Sequence, residues 1–196
     1  MSAAYADHGA ARAVAPAGGM RIGGVALDDT VAVGLEPFAS PHAQALIAAL
    51  MIDLDTRYAD DGPVEGDSPE MVGLHAVRAD QVTPPRGAFV VARIDGRPAG
   101  CGAVRPLHGG PPGTAEIKRM YTAPGARRRG LSRVILARLE REAAALGYRR
   151  VQLETGLRQP EAIALYESAG YHRIPTYGQY EGDELSVCFA KDLVTA

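Results

Sequence analysis

Glu116-Ile-Lys-Arg-Met-Tyr-Thr-Ala-Pro-Gly-Ala-Arg-Arg-Arg-Gly130, followed by Leu131-Ser132, decides how this chain is read. A short strand runs into a turn at Ala123-Pro124-Gly125. Three arginines and a glycine come next, and a long amphipathic helix begins. A basic, glycine-containing loop that opens a helix is suited to phosphate. The first helical turn leaves backbone N–H groups unpaired, and the helix dipole favours an anion there. Gly130 lets the backbone approach a ligand with no Cβ in the way. Arg127, Arg128 and Arg129 add charge-assisted donors, although the amides of Gly130, Leu131 and Ser132 should matter more than any one arginine.

The loop is not that of the nucleotide triphosphatases, which needs Gly-x-x-x-x-Gly-Lys-Ser/Thr. The lysines of this chain are Lys118 and Lys191, and neither follows a glycine loop. It is not the dinucleotide fingerprint either, because the Gly-x-Gly-x-x-Gly spacing is missing. The Arg127-Arg-Arg-Gly130-Leu-Ser132 run resembles the Arg/Gln-x-x-Gly-x-Gly/Ala loop of the GNAT superfamily of N-acetyltransferases, which grips the pyrophosphate of acetyl-CoA. Ser132 stands where Gly or Ala is usual, and serine is the next smallest choice.

Further segments at matching distances carry the resemblance. The loop follows a strand holding Glu116, Met120 and Tyr121, and family members expose backbone groups of this strand to the pantetheine arm. Val151-Gln-Leu-Glu-Thr155 follows the helix as a strand. Gln159-Pro-Glu-Ala-Ile-Ala-Leu-Tyr166-Glu-Ser-Ala-Gly-Tyr171 is similar to the family's Asn-x-x-Ala-x-x-Leu-Tyr-x-x-x-Gly-Phe/Tyr segment, with Gln159 where Asn is usual. The resemblance covers the chain from about Gly87 onward. It implies an α/β (α+β) GNAT fold: a mixed, mostly antiparallel central sheet with helices on both faces.

Composition sets outer bounds. The chain has 196 residues, 46% of them hydrophobic, and a formal net charge of -2. A domain of this size buries about 70% of its unfolded surface. The charge argues against general nucleic-acid binding despite the arginine run. No apolar stretch reaches the roughly 18 residues of a membrane span, so no membrane is expected. The first residues lack an apolar signal core, which makes the cytoplasm the default. No Cys/His spacing suggests a metal. Cys101 and Cys188, in apolar strand-like surroundings, read as buried free thiols. His8, His42, His75, His108 and His172 are scattered singly.

Residues 1–25 are Ala- and Gly-rich and read as a flexible tail before a single domain over 26–196. Val31 to Leu35 reads as a strand. Ser40-Pro41 opens a helix to about Tyr58 whose stripe is Leu46, Ile47, Leu50 and Leu54. An acidic loop follows over 59–69, and a short helix near 69–75. Two strands, 87–94 and 97–107, meet at Asp95-Gly96, a strong hairpin signal. Thr114 to Thr122 is a strand, and Gly130 to Leu146 a helix with Leu131, Ile135, Leu139 and Leu146 on one face. A strand at 150–155, a helix at 160–169 and strands at 171–174 and 184–190 complete the order. Lys118 and Arg119 alternate on their strand, so one should face the site and the other the opposite layer.

The resemblance assigns roles. An attacking amine must be neutral, and a free alkylamine has a pKa near roughly 10. Glu116, beside the expected thioester, is the candidate base, acting through water; a strand-edge charge paired with an arginine is the other reading of the same residue. Tyr166 matches the tyrosine that protonates the departing thiolate; a core aromatic is the other reading of the same residue. Met120, Tyr121, Arg127, Arg128, Arg129, Gly130, Leu131, Ser132 and Gln159 form the expected acetyl-CoA site. The acceptor side implied by the fold is the acidic segment 58–70 with Tyr177-Gly-Gln-Tyr180-Glu181. Carboxylates with aromatics suit a small-molecule cationic amine. Acetylation of protein lysines or N-termini and non-catalytic acyl-CoA sensing remain alternatives, and a homodimer is an allowed assembly.

Overall fold

The computed structural model describes residues 30–59 and 77–193. The expected tail at 1–25, most of the acidic loop and the short helix at 69–75 lie outside the described residues.

Apolar runs buried on both faces build the centre. In β2 (Ala88–Ile94), Ala88, Val90 and Ala92 enter one core cluster while Phe89 and Val91 enter another on the opposite face. β2 and β3 (Arg97–Pro106) meet at Asp95 and Gly96, both at positive φ (49° and 78°). That is the backbone a tight two-residue hairpin of this hand requires. β1 (Val31–Leu35) pairs outside β2, and β4 (Thr114–Thr122) pairs with β3. Then come β5 (Arg150–Gly156), β6 (His172–Ile174) and β7 (Ser186–Asp192). The sheet order is β1-β2-β3-β4-β5-β7-β6. Every pair is antiparallel except β4–β5. A parallel pair needs a long crossover, and α2 (Leu131–Ala145) supplies it.

α1 (Pro41–Tyr58) starts where Ser40 Oγ accepts from Ala43 N at 3.1 Å, with Pro41 at the first helical position. Its Ala43, Leu46 and Leu50 pack on Phe89, Val91, Cys101, Ala103 and Tyr121. On the other face Leu131, Ile135, Leu136 and Leu139 of α2 meet Val90, Val104, Ala115 and Ile117. α3 (Pro160–Ser168) sits on this second face with Tyr166. Both of these helices end in a positive-φ glycine, Gly147 and Gly170. Tyr148 N returns to Ala143 O, and Tyr171 N to Tyr166 O, each at 3.0 Å. The expected α/β sheet with helices on both faces is present. Cys101 and Cys188 are buried free thiols, and burial pushes Cys101 up to about 12, so it is inert at neutral pH.

Two irregularities shape the centre of the sheet. Lys118 opposes Ala103 and Tyr121 opposes Cys101, so Arg119 and Met120 together face Gly102. Arg119 takes the left-handed conformation, φ 58°, and makes a β-bulge. The second irregularity is the short register of β4–β5. Pairing covers only Thr114↔Arg150, Ala115↔Val151 and Glu116↔Gln152. Beyond it β4 stays with β3 and β5 with β7, so the two strands part and a cleft opens between them.

Candidate active site

The cleft between the parted strands is lined by Leu50 and Leu54 of α1, Lys118, Arg119 and Met120 of β4, Glu154 and Thr155 of β5, and Gln159 and Tyr166. The bulge decides which β4 side chains meet there. Simple alternation would put Lys118 and Arg119 on opposite faces. With Arg119 at positive φ, both line the cleft, and Met120 packs on the α2-side cluster while Tyr121 is buried on the α1 side.

The glycine loop follows the end of β4, past the strand residues that line the cleft. A single 3-10 turn, Pro124–Ala126, leads out of β4, and buried Ala126 pins it to the core. Arg128 (φ 62°) and Gly130 (φ 75°) are left-handed, and Gly130 stands at the N-cap of α2. The N–H groups of Gly130, Leu131 and Ser132 have no acceptor among the described residues. Nothing lies within 4 Å of the place where a Gly130 Cβ would stand. The geometry is an open backbone cradle with exposed Arg128 and Arg129 beside it.

Arg127 is placed differently from its neighbours. Its Nε donates to Thr122 O at 3.1 Å, and a terminal nitrogen meets Asp53 Oδ1 at 2.9 Å. Asp53 also receives Arg57 at 3.0 Å, and Arg57 meets Glu161 at 2.5 Å. Burial pushes the Asp53 carboxyl up, but the bonds from Arg127 and Arg57 outweigh it and hold the group below its usual range. Arg127 thus ties the loop to α1. Gln159 occupies the N-cap position of α3 on the cleft wall, makes no side-chain cap, and donates through Nε2 to Tyr58 Oη at 3.4 Å.

Tyr166 is 4% exposed, with its ring edge-on to Tyr171 at 5.7 Å. Its hydroxyl has no hydrogen bond among the described residues and lies at the cleft. Burial, then the nearby Glu154 carboxylate, raises its pKa, so it keeps its proton at neutral pH.

Glu116 does not line the cleft. It is 2% exposed beneath it. Its Oε2 accepts from Arg105 Nε at 2.9 Å and pairs with a second Arg105 nitrogen at 2.8 Å. Tyr177 Oη donates to Oε1 at 3.2 Å, and Lys118 Nζ is 3.8 Å away. Tyr180, packed on Tyr177 at 5.6 Å, accepts a short hydrogen bond from Lys118. The described acceptor side is therefore Lys118 and Arg119 under two tyrosines. The carboxylates expected from the acidic loop fall outside the described residues.

The cleft also brings in Glu154, which sequence reasoning passed over. Gln152 and Glu154 alternate with core Val151 and Leu153, so they share the face of Glu116. A carboxylate inside a central strand was the available signal.

Among the described residues there is no metal-ligating cluster and no helix long and apolar enough to cross a membrane. Among the described residues the mixed sheet thus parts beyond its parallel pair, with a backbone cradle after β4 and Tyr166 lining the cleft. The acetyltransferase (GNAT) family model matches residues 51–171, and the chain belongs to that family. The chain is 35% identical over 150 residues to an IAA acetyltransferase of Azospirillum brasilense, covering 76% of this chain and 92% of that one. It is 33% identical over 131 residues to the uncharacterized N-acetyltransferase YjgM of Escherichia coli, covering 65% of this chain and 75% of that one. An acyl-CoA N-acyltransferase structure from Klebsiella pneumoniae superposes with a TM-score of 0.66 at 28% identity, covering 84% and 98%. A PaiA N-acetyltransferase from Thermoplasma acidophilum in complex with coenzyme A has a TM-score of 0.60 at 13% identity, covering 83% and 99%.

Proposed function

We infer that this acyltransferase moves an acetyl group from acetyl-CoA to a primary amine of a small molecule, by direct attack with both substrates bound. The observation that carries this reading is the parting of β4 from β5 beyond Glu116 and Gln152, with Tyr166 lining the cleft and the Gly130 cradle in the loop that continues β4. The strand edge freed on β4 suits a pantetheine arm lying along Met120 and Tyr121 as an added strand. The amides of Gly130, Leu131 and Ser132 suit a pyrophosphate, with Arg128 and Arg129 as outer charges and Arg127 holding the loop in place. Gln159 faces the same arm from the opposite wall. A fold neighbour in complex with coenzyme A supports acyl-CoA as the donor.

Tyr166 is the proton donor to the departing sulfur. A phenol is a weaker acid than a thiol of roughly 8.5, so it carries its proton until a thiolate forms beside it. Glu116 enters as the buried charge that fixes Arg105 and Lys118 under the acceptor. The bonds from Tyr177 to Glu116 and from Lys118 to Tyr180 tie the turn before β7 to the sheet, which suits a small acceptor better than a protein segment.

The test is thiol release from acetyl-CoA across monoamines, polyamines, amino acids, aminoglycosides and lysine peptides. At least one small amine should stimulate release far above the amine-free rate. Equal rates with and without every amine would overturn the reading, and stimulation by peptides alone would replace the acceptor class.

A further inference from the structure

The geometry assigns the proton-accepting role in amine attack to Glu154 on β5, on the reading that this chain acetylates an amine. Three observations converge. Glu154 lines the cleft between the parted strands together with Tyr166 and Lys118, whereas Glu116 lies below it and is held by Arg105. One Glu154 oxygen, Oε1, receives Ser186 Oγ at 3.0 Å. The other has no hydrogen-bond partner among the described residues, so an incoming N–H finds an acceptor there. Burial raises its pKa, which brings a carboxylate closer to the strength a general base needs. The groups facing it are Lys118 and Glu116 from β4, Tyr166 from α3, Tyr180, and Asp183 and Cys188 from the β7 side.

The amine arrives as an ammonium. Glu154 takes one proton, and the freed nitrogen pair forms the N–C bond to the thioester carbon. The C–S bond breaks and its electron pair leaves on sulfur. Tyr166 passes its proton to that sulfur. The second proton of the new amide nitrogen leaves to solvent, from which Tyr166 and Glu154 regain their starting states. The sum is one amide, one thiol and one released proton.

The test is the pH dependence of kcat under saturating acetyl-CoA. In the parent, kcat should fall on the acid side as Glu154 is protonated. The midpoint should lie above the ordinary carboxylate range and at the same pH for two amines of different basicity. A midpoint that moves with the amine overturns the assignment with no variant needed. Glu154→Gln is nearly isosteric and keeps an acceptor for Ser186. It should bind acetyl-CoA normally, lose roughly 10²-fold in kcat at neutral pH and lose the acid limb. Glu154→Asp, which displaces the group but keeps a carboxylate, should retain the limb and outperform Gln. A packing role predicts the reverse order. Glu116→Gln should keep the limb. A limb that survives in Glu154→Gln and vanishes in Glu116→Gln would return the role to Glu116. Turnover that needs no amine in the parent overturns the underlying acetyltransfer reading, while amine-dependent turnover with an unaltered limb in Glu154→Gln overturns this assignment alone.

Discussion

Residues with similar sequence credentials end in different environments, and the environments separate their roles. Glu116 and Glu154 both lie on central strands and point to one face. Glu116 is neutralised by Arg105 and bonded on both oxygens, whereas Glu154 keeps an oxygen for a ligand. Arg127, Arg128 and Arg129 are adjacent, but only Arg127 reaches Asp53. Tyr166 and Tyr171 are neighbours in one aromatic cluster, yet only the Tyr166 hydroxyl opens on the cleft. Replacing Tyr166 by Phe keeps ring packing and removes the donor. Because the hydroxyl has no protein partner, its loss leaves no buried group unsatisfied, and stability should change little. The expected result is unchanged acetyl-CoA affinity and a fall in kcat of roughly 10²-fold. Steady-state kinetics with calorimetry checks it, and a kcat within threefold of the parent, with chemistry rate-limiting, would leave Tyr166 a packing role.

Elements were legible wherever local chemistry dictates backbone. Ser40-Pro41 fixed the start of α1, Asp95-Gly96 the hairpin, and Gly147 and Gly170 the helix ends. The final strand lies two residues later than its apolar run suggests, at Ser186–Asp192, because pairing with β5 sets its limits. The bulge was not legible. Arg119 carries no mark of a left-handed residue, and its φ follows from register against Gly102. The site inherits that gap: Met120 and the glycine loop could be read from motif, but the placing of Lys118, Arg119 and Glu154 in one cleft depends on tertiary pairing. Gly102 also shows what the bulge requires of its partner. A Cβ there would lie 2.7 Å from Leu139 Cδ1 and 2.9 Å from both Ile135 Cγ2 and Met120 Sδ. Gly102→Val should therefore push α2 off the sheet and cost about 1–3 kcal/mol. At Gly34, where nothing lies within 4 Å, the same change should be near neutral. Denaturant unfolding of the two variants makes the comparison, and equal midpoints would mean that α2 accommodates the methyl groups freely.

The whole molecule is two sheet halves joined by three registered pairs of one parallel contact, and α1 bridges the gap. Asp53 holds the glycine loop through Arg127, Arg57 holds α3 through Glu161, and Tyr58 meets Gln159. One helix thus fixes the backbone cradle relative to α3 and its Tyr166. That arrangement makes Gly130→Glu a test of the entire reading. The space at its Cβ is open, so the side chain fits, and the strain of a left-handed glutamate costs only about 1–3 kcal/mol. The fold should survive. The new carboxylate would stand among the amides of Gly130, Leu131 and Ser132, where it competes with a pyrophosphate and repels it. Calorimetric titration should show acetyl-CoA affinity lost, while circular dichroism shows a folded protein. A folded Gly130→Glu variant with the parent's affinity would place the cosubstrate elsewhere and remove the basis for reading the parted strands as its channel.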